Sequence, residues 1–325
     1  MMPKSPPTIA VLDGESLNPG DLSWAPLETL GQLTVYPRTP PELLLQRAAT
    51  ADILLTNKCP LRAETLAQLP RLRFISVLAT GYDVVDVAAA KARHVHVANV
   101  PDYSTQSVAE LVFALILDHL RDVSQQHHAV RAGEWQRRQD FSFQVTPQRE
   151  LAGRTLGIIG FGRIGSAVAR IAHAFGLQLL VASPRQPISD LPLNWLPVDE
   201  IFRHADLITL HAPLTPTSHL LVNHHRLALA QPHLFLVNTS RGGLVDEIAL
   251  ADALRTDRIA GAALDVCTQE PIEPQNPLLH LPNCRVTPHV GWATLEARQR
   301  LLDTTVDNIR AFLAGDPIHL VTPAV

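Results

Sequence analysis

The sequence predicts an α/β protein of two doubly wound parallel-sheet domains, and three observations carry that expectation. Two series of short apolar runs alternate with segments of helical spacing, one before residue 101 and one after residue 154. A glycine-patterned turn opens the second series between a strand pattern and a helix pattern. The chain has 325 residues, 46% of them hydrophobic, which is enough for two cores.

In the first series, buried parallel strands are expected at 8–14 (TIAVLDG), 33–36, 52–56, 74–80 and 95–100. Segments such as PPELLLQRAAT and RAETLAQLP supply helical spacing between them. The second series places strands at 155–160, 177–183, 206–211, 234–238, 261–266 and 284–288. Between the two series, STQSVAELVFALILDHLRDVSQQHHAVRAG opens with capping-type residues and is expected to stay helical to about Gly133, crossing between domains. A polar, aromatic-dotted stretch at 134–150 follows; it is longer than a connection requires. After His289 a helical segment, EARQRLLDTTVDNIRAFLAG, is too short for a domain and would pack back on the first one. The expected organisation is therefore 1–101 and 290–325 as one discontinuous domain, with 102–289 inserted.

Composition narrows the function. A net charge of −4 gives no positive excess for gripping phosphate backbones, so nucleic acid is not an expected partner. Cys59, Cys267 and Cys284 are too few and too scattered for a disulfide framework or a metal site, which fits a reduced intracellular setting. The N-terminal residues contain no apolar run of signal-peptide length. The most apolar stretch, VAELVFALILDHL, carries Glu110 and Asp118 and falls short of the ~20 residues that span a bilayer. It reads as a buried helix in a soluble, cytoplasmic protein with no membrane partner.

The turn GIIGFGRIGSAVARIAHAFG places Gly160, Gly162 and Gly165 between a strand and a helix. The first glycine allows a tight turn, the second lets backbone N–H groups approach a pyrophosphate, and the third lets the helix sit close to the sheet. An acidic residue for the adenosine 2′-hydroxyl would stand at the end of the next strand, about 20 residues on. Ser183 stands there, with Arg185 two residues further. Ser183 removes the carboxylate that would repel a 2′-phosphate, and Arg185 offers a guanidinium fork to pair with it. The pair favours NADPH over NADH. The plainer alternative for Arg185 is a solvated arginine in a proline-rich turn.

Three further residues each follow an expected strand: Arg241 in LFLVNTSRGGLVDE, Glu270 in GAALDVCTQEP and His289 in CRVTPHVGWAT. Strand C-termini of an open parallel sheet are where ligands bind. An arginine, a carboxylate and an imidazole gathered there can polarise a carbonyl, orient a ring and transfer a proton. His119, His127, His128, His224 and His225 read as solvated or helix-surface groups.

With these blocks on the page, the chain resembles the D-isomer-specific 2-hydroxyacid dehydrogenases, particularly glyoxylate/hydroxypyruvate reductases and glycerate dehydrogenases. The resemblance runs from about residue 50 to the C-terminus. It rests on VLATGYDVVDVAAA, NVPDYSTQSVAELV, LAGRTLGIIGFGRIG, LHAPLTPTS, NTSRGGLVDE, AALDV, QEP and TPHVGWAT. It implies a flavodoxin-like substrate domain with an inserted Rossmann cofactor domain, a small 2-oxoacid or 2-hydroxyacid substrate, and a homodimer formed through the region of 134–150. It implies His289 as general acid, Glu270 as the partner that holds the ring and favours the imidazolium, and Arg241 as the electrophile that binds substrate. The backbone of Thr80 and Gly81 would receive the substrate carboxylate. Arg163, Ile164, His211, Pro213, Thr239 and Gly291 would contact the cofactor. Asp265 would hold the nicotinamide amide, or else cap a helix; Thr105 would contact the pyrophosphate, or else cap the long helix. Trp292 would wall the substrate pocket, or else be a core indole. Cys59 stands where many relatives have Thr and reads as a small buried side chain. Two other readings stay open: a dinucleotide-binding regulatory or corepressor-type protein, and a phosphoglycerate dehydrogenase.

Overall fold

The computed structural model describes residues 6–321; residues 1–5 and 322–325, the outer ends of the expected first and last segments, lie outside the described residues. The chain divides into two units. One takes the residues up to Ser104 together with those from Trp292 onward, and the other is Thr105–Gly291. Both divisions fall slightly later than the expected 101/102 and 289/290, and hydrogen bonds account for the second. The Ser107 hydroxyl donates to the Gly291 carbonyl at 2.5 Å, and the Asp265 carboxylate accepts from the Val290 and Gly291 amides. Residues 290 and 291 are thereby fastened to the second unit.

In the first unit β1 (Thr8–Val11), β2 (Gln32–Val35), β3 (Ile53–Thr56), β4 (Phe74–Val77) and β5 (His96–Ala98) form a parallel sheet of order β2-β1-β3-β4-β5. That is the flavodoxin-like order. Strand periodicity separates two cores, one on each face. Ala10, Leu54, Ile75 and Val97 belong to one; Ile9, Val11, Ile53, Leu55 and Phe74 belong to the other. The helix Leu295–Ala314 covers the second face with Ala297, Leu301, Leu302, Val306 and Ile309, and Phe312 stacks on Phe74 at 4.5 Å between ring centroids.

The second unit contains β6 (Thr155–Ile159), β7 (Gln178–Ala182), β8 (Leu193–Trp195), β9 (Leu207–Leu210), β10 (Phe235–Asn238), β11 (Gly261–Leu264) and β12 (Cys284–Val286). Its parallel order is β12-β11-β10-β9-β6-β7-β8, so the chain starts in mid-sheet and reverses direction between β6 and β9. Dinucleotides bind at such a reversal in Rossmann sheets. Among the described residues, no helix is long and apolar enough to cross a membrane.

Three sequence expectations need correction. The edge strand β8 was not expected, because three residues with an exposed asparagine between two half-buried side chains carry too little pattern. The long linking helix is two helices, Thr105–Arg121 and Val123–Arg131, separated at Asp122, whose φ of 42° is left-handed. Both helices are assigned to the second unit. His119 is not a solvated ring: it is half-buried and stacks on Phe235 at 3.9 Å between centroids. Burial, followed by the charges of Arg285, Arg149 and Arg154, pushes its pKa down to about 4. His127, His128, His224 and His225 are exposed.

Candidate functional site

The glycine turn lies between β6 and the helix Arg163–Ala174, with Gly162 at the N-cap. Gly160 has a φ of 97°, and a Cβ there would come within 2.5 Å of the His211 carbonyl at the end of β9. A side chain is excluded by conformation and by space alike. A Cβ on Gly165 would meet the Gly160 carbonyl oxygen at 2.2 Å, which is how the helix comes so close to the strand. At Gly162 a Cβ would meet nothing within 4 Å. The outer side of the turn is therefore open, and the helix N-terminus behind it favours an anion. The Thr239 hydroxyl, at the end of β10, is buried with no hydrogen-bond partner among the described residues. An orphaned hydroxyl at a strand end and an open glycine turn are what a dinucleotide would satisfy.

The remaining residues expected around a cofactor fall at neighbouring strand ends. His211 pairs through Nε2 with the Thr209 hydroxyl at 2.9 Å, and burial holds its ring neutral, with the pKa pulled down to about 3. The Ser218 hydroxyl donates to the Pro213 carbonyl at 2.6 Å, and the Ser240 hydroxyl to that of Ala212 at 2.8 Å, so the loop after β9 is tied to the one after β10. Arg163 is exposed and Ile164 packs against the core beneath. Thr105 begins the helix Thr105–Arg121. Ser183 follows β7, half-buried, and Arg185 is exposed without an ion pair or hydrogen bond among the described residues.

Arg241, Glu270 and His289 come from the loops after β10, β11 and β12, three adjacent strands. His289 Nδ1 lies 2.7 Å from Glu270 Oε2, with about a third of each side chain exposed. A carboxylate only accepts, so Nδ1 carries the proton of that bond. His289 holds a φ of 55°, left-handed for a non-glycine residue. What fixes this turn is Asp265, only 2% exposed. Its carboxylate accepts from the Thr287 hydroxyl at 2.6 Å and from the Val290 and Gly291 amides at 2.9 and 2.8 Å. No helix follows it, so the helix-cap alternative falls; it clamps the histidine's loop. The guanidinium of Arg241 is exposed, with Nη1 donating to the Ser240 carbonyl at 2.8 Å. Its neighbour Gly242 packs so tightly on the next loop that a Cβ would lie 2.1 Å from the Cys267 carbonyl oxygen.

Thr80, Gly81 and Trp292 belong to the first unit. After β4, the Thr80 hydroxyl donates to the Val100 carbonyl at 2.9 Å, and the Asn99 amide donates to the Thr80 carbonyl at 2.7 Å. Trp292 is half-buried and meets Tyr103 edge-on at 6.3 Å, as a core indole does. Cys59 is buried, and desolvation, then the charge of Asp13, raises its thiol to about 11. It is an inert side chain. Sequence reasoning missed the clamp made by Glu247, which accepts from the Thr268 amide and the Asn276 side chain at 2.6 Å each. Its partners lie 21 and 29 residues away, and no local pattern announces such a contact.

Residues 113–291 match the family model described as D-isomer specific 2-hydroxyacid dehydrogenase, NAD binding domain. A hydroxypyruvate reductase of Blautia hydrogenotrophica is 42% identical over 96% of this chain and 99% of its own. A glycerate dehydrogenase of Methylorubrum extorquens is 42% identical over 86% of this chain and 88% of its own. Among solved structures, an NADPH-dependent glyoxylate/hydroxypyruvate reductase from Sinorhizobium meliloti, in complex with NADP and malonate, is similar with a TM-score of 0.80. It is 31% identical and covers 99% of this chain and 100% of that one. The chain belongs to the D-isomer specific 2-hydroxyacid dehydrogenase family.

Proposed function

We propose that this protein reduces a small 2-oxoacid, glyoxylate or hydroxypyruvate, to the D-2-hydroxy acid, with NADPH preferred over NADH. The observation that carries the reading is the His289–Glu270 pair at 2.7 Å, on loops that follow β12 and β11, in a sheet where β10, the strand before Arg241, lies next to β11 and the glycine turn is open. When bound, a reduced nicotinamide would supply the hydride for the carbonyl carbon. His289 gives the Nε2 proton to the carbonyl oxygen and recovers one from water after product leaves. Glu270 accepts from Nδ1 throughout, which orients the ring and stabilises the imidazolium before transfer. Arg241 binds the anionic substrate and stabilises negative charge developing on oxygen. The amides of the Gly160–Gly165 turn and the Thr239 hydroxyl would hold the dinucleotide. The Asp265 carboxylate, besides clamping the turn, has acceptor capacity left for the nicotinamide amide. In the first unit, the Thr80–Gly81 backbone is the carboxylate-accepting segment.

NADPH preference rests on Ser183 and the unpartnered Arg185. The cytoplasm is the expected compartment, supported by three free cysteines. A homodimer is the expected state, supported by exposed apolar side chains at Val123, Trp135, Phe141 and Val145 on and after the second linking helix. Light scattering at micromolar concentration checks it; a monomer overturns it. The decisive test of function is a panel of 2-oxoacids with each cofactor, followed at the absorbance of the reduced nicotinamide. Turnover of glyoxylate or hydroxypyruvate with higher kcat/KM for NADPH is expected. Tight dinucleotide binding without turnover of any acid would instead favour a regulatory role.

A further inference from the structure

We infer that Glu247 is a positioning residue for the Glu270–His289 pair, fixing the loop that carries Glu270 against the segment that carries Arg241. The inference rests on the reductase reading for its kinetic test and on geometry for its origin. Glu247 is the first residue of the helix Glu247–Arg255, whose N-cap is Asp246. A carboxylate at that end is favoured by the helix dipole. Its Oε1 accepts from the Thr268 amide at 2.6 Å, and its Oε2 accepts from Asn276 Nδ2 at 2.6 Å. Those two anchors bracket Glu270.

Only a carboxylate can fill this place. Both partners are donors, and Asn276 cannot turn its oxygen toward residue 247, because that oxygen already accepts from the Leu278 amide at 3.0 Å. A glutamine presents one acceptor and one NH2, so one of the two anchors would face a donor. The anchored stretch also touches both halves of the site. Cys267 donates its amide to Glu270 Oε1 at 3.2 Å, and the Cys267 carbonyl lies against Gly242, next to Arg241. One carboxylate therefore sets the position of the Glu270 loop relative to the Arg241 segment. Proton transfer from a ring held by Glu270 is sensitive to small displacements of that loop.

The test is a double-mutant cycle. Glu247→Gln should lower kcat with a saturating 2-oxoacid about 10-fold, equivalent to roughly 1.4 kcal/mol, and leave the Kd for NADPH within about twofold. In a Glu270→Gln background, Glu247→Gln should have less than a twofold effect, because its route of action is already removed. Equal losses in both backgrounds, or unchanged kcat in the single variant, would overturn the inference. Asn276→Ala keeps the Thr268 anchor and serves as the second variant if Glu247→Gln unfolds; it must show the same background dependence. An activity-independent readout separates this inference from the reductase reading. The proton on His289 Nδ1, shared with Glu270, should exchange faster with water in Glu247→Gln by NMR. An unmodified protein that turns over no 2-oxoacid defeats the functional reading alone. An unchanged exchange rate defeats the positioning role whatever the reaction is.

Discussion

Asp265 and Glu270 stand on the same loop after β11, and they are two different kinds of carboxylate. Asp265 is 2% exposed and ringed by one hydroxyl and two amides, with no cation among those partners. Glu270 keeps a third of its side chain exposed and meets an imidazole. The first is satisfied by two backbone amides and a hydroxyl, which make it a fixed point for the loop they come from. The second faces a group that exchanges protons. A buried charge encircled by donors builds geometry; on the proposed function, a partly exposed charge against a titratable ring takes part in chemistry. Glu247 belongs with Asp265, since its oxygens also serve backbone and side-chain donors.

The largest effect that would break this comparison belongs to the reacting side. His289→Ala should lower kcat by the 10²–10⁴-fold typical of a lost general acid, with cofactor affinity little changed. Near-normal turnover would remove His289 from the chemistry. Asp265→Ala should act differently, mainly on stability. It leaves two amides and a hydroxyl without their acceptor, at a cost of about 1–3 kcal/mol for each unsatisfied group. Denaturant titration should therefore show a loss of at least about 3 kcal/mol for Asp265→Ala, and a change below about 1 kcal/mol for Glu270→Gln. The reverse ranking would show that the two carboxylates have been assigned to the wrong classes.

The split between what builds and what reacts also explains how much could be read from sequence. Buried parallel strands are continuous apolar runs, so β3, β4, β9 and β10 were legible, as was the glycine turn in its strand–turn–helix setting. Arg241, Glu270 and His289 were legible as a group because each follows a strand, and the sheet order makes those strands neighbours. The break at Asp122 was not, since a single left-handed residue leaves the helical spacing on both sides intact. Nor were the clamps. Asp265 looked like a nicotinamide contact or a cap, and the amides it clamps come beside it only when the loop after β12 folds. His119 looked like one more helix-surface histidine until Phe235 was found beneath its ring.

The same contrast, applied to cations, sharpens the cofactor assignment. Arg298 is 7% exposed and forks onto Asp21 through Nη1 and Nη2 at 2.7 and 2.6 Å. Arg185 is exposed and has no partner of its own in the described residues, which leaves its guanidinium available. Arg185→Ala should weaken kcat/KM for NADPH about 10- to 150-fold, the worth of a charge-assisted hydrogen bond of about 1.5–3 kcal/mol, and spare NADH. Ser183→Asp should reverse the preference by adding repulsion against the 2′-phosphate and an acceptor for the ribose hydroxyl. Equal or better use of NADH by the unmodified protein would reduce Arg185 to a surface residue.

The smallest effect concerns a histidine that the sequence placed on a solvated surface, set beside the one it placed in the site. His289 sits half-exposed against a carboxylate, whereas His119 is stacked on Phe235 with burial and nearby arginines depressing its pKa from 6.5 to about 4. For His119 the folded state binds the proton less well than the unfolded chain. Its contribution to stability is therefore complete above pH 6.5, falls as the pH drops from 6.5 toward 4, and is lost below 4. At 1.36 kcal/mol per unit, a fully buried ring with that shift would account for about 3 kcal/mol; solvent around this half-buried one reduces the expectation to about 1 kcal/mol. His119→Phe keeps an aromatic ring against Phe235 and removes the titration. Urea denaturation at pH 7 and pH 4.5 should show the unmodified protein losing about 1 kcal/mol more than His119→Phe between the two values. Parallel acid losses in the two proteins would mean that the ring titrates normally, and that its stacking on Phe235 is too loose to exclude water.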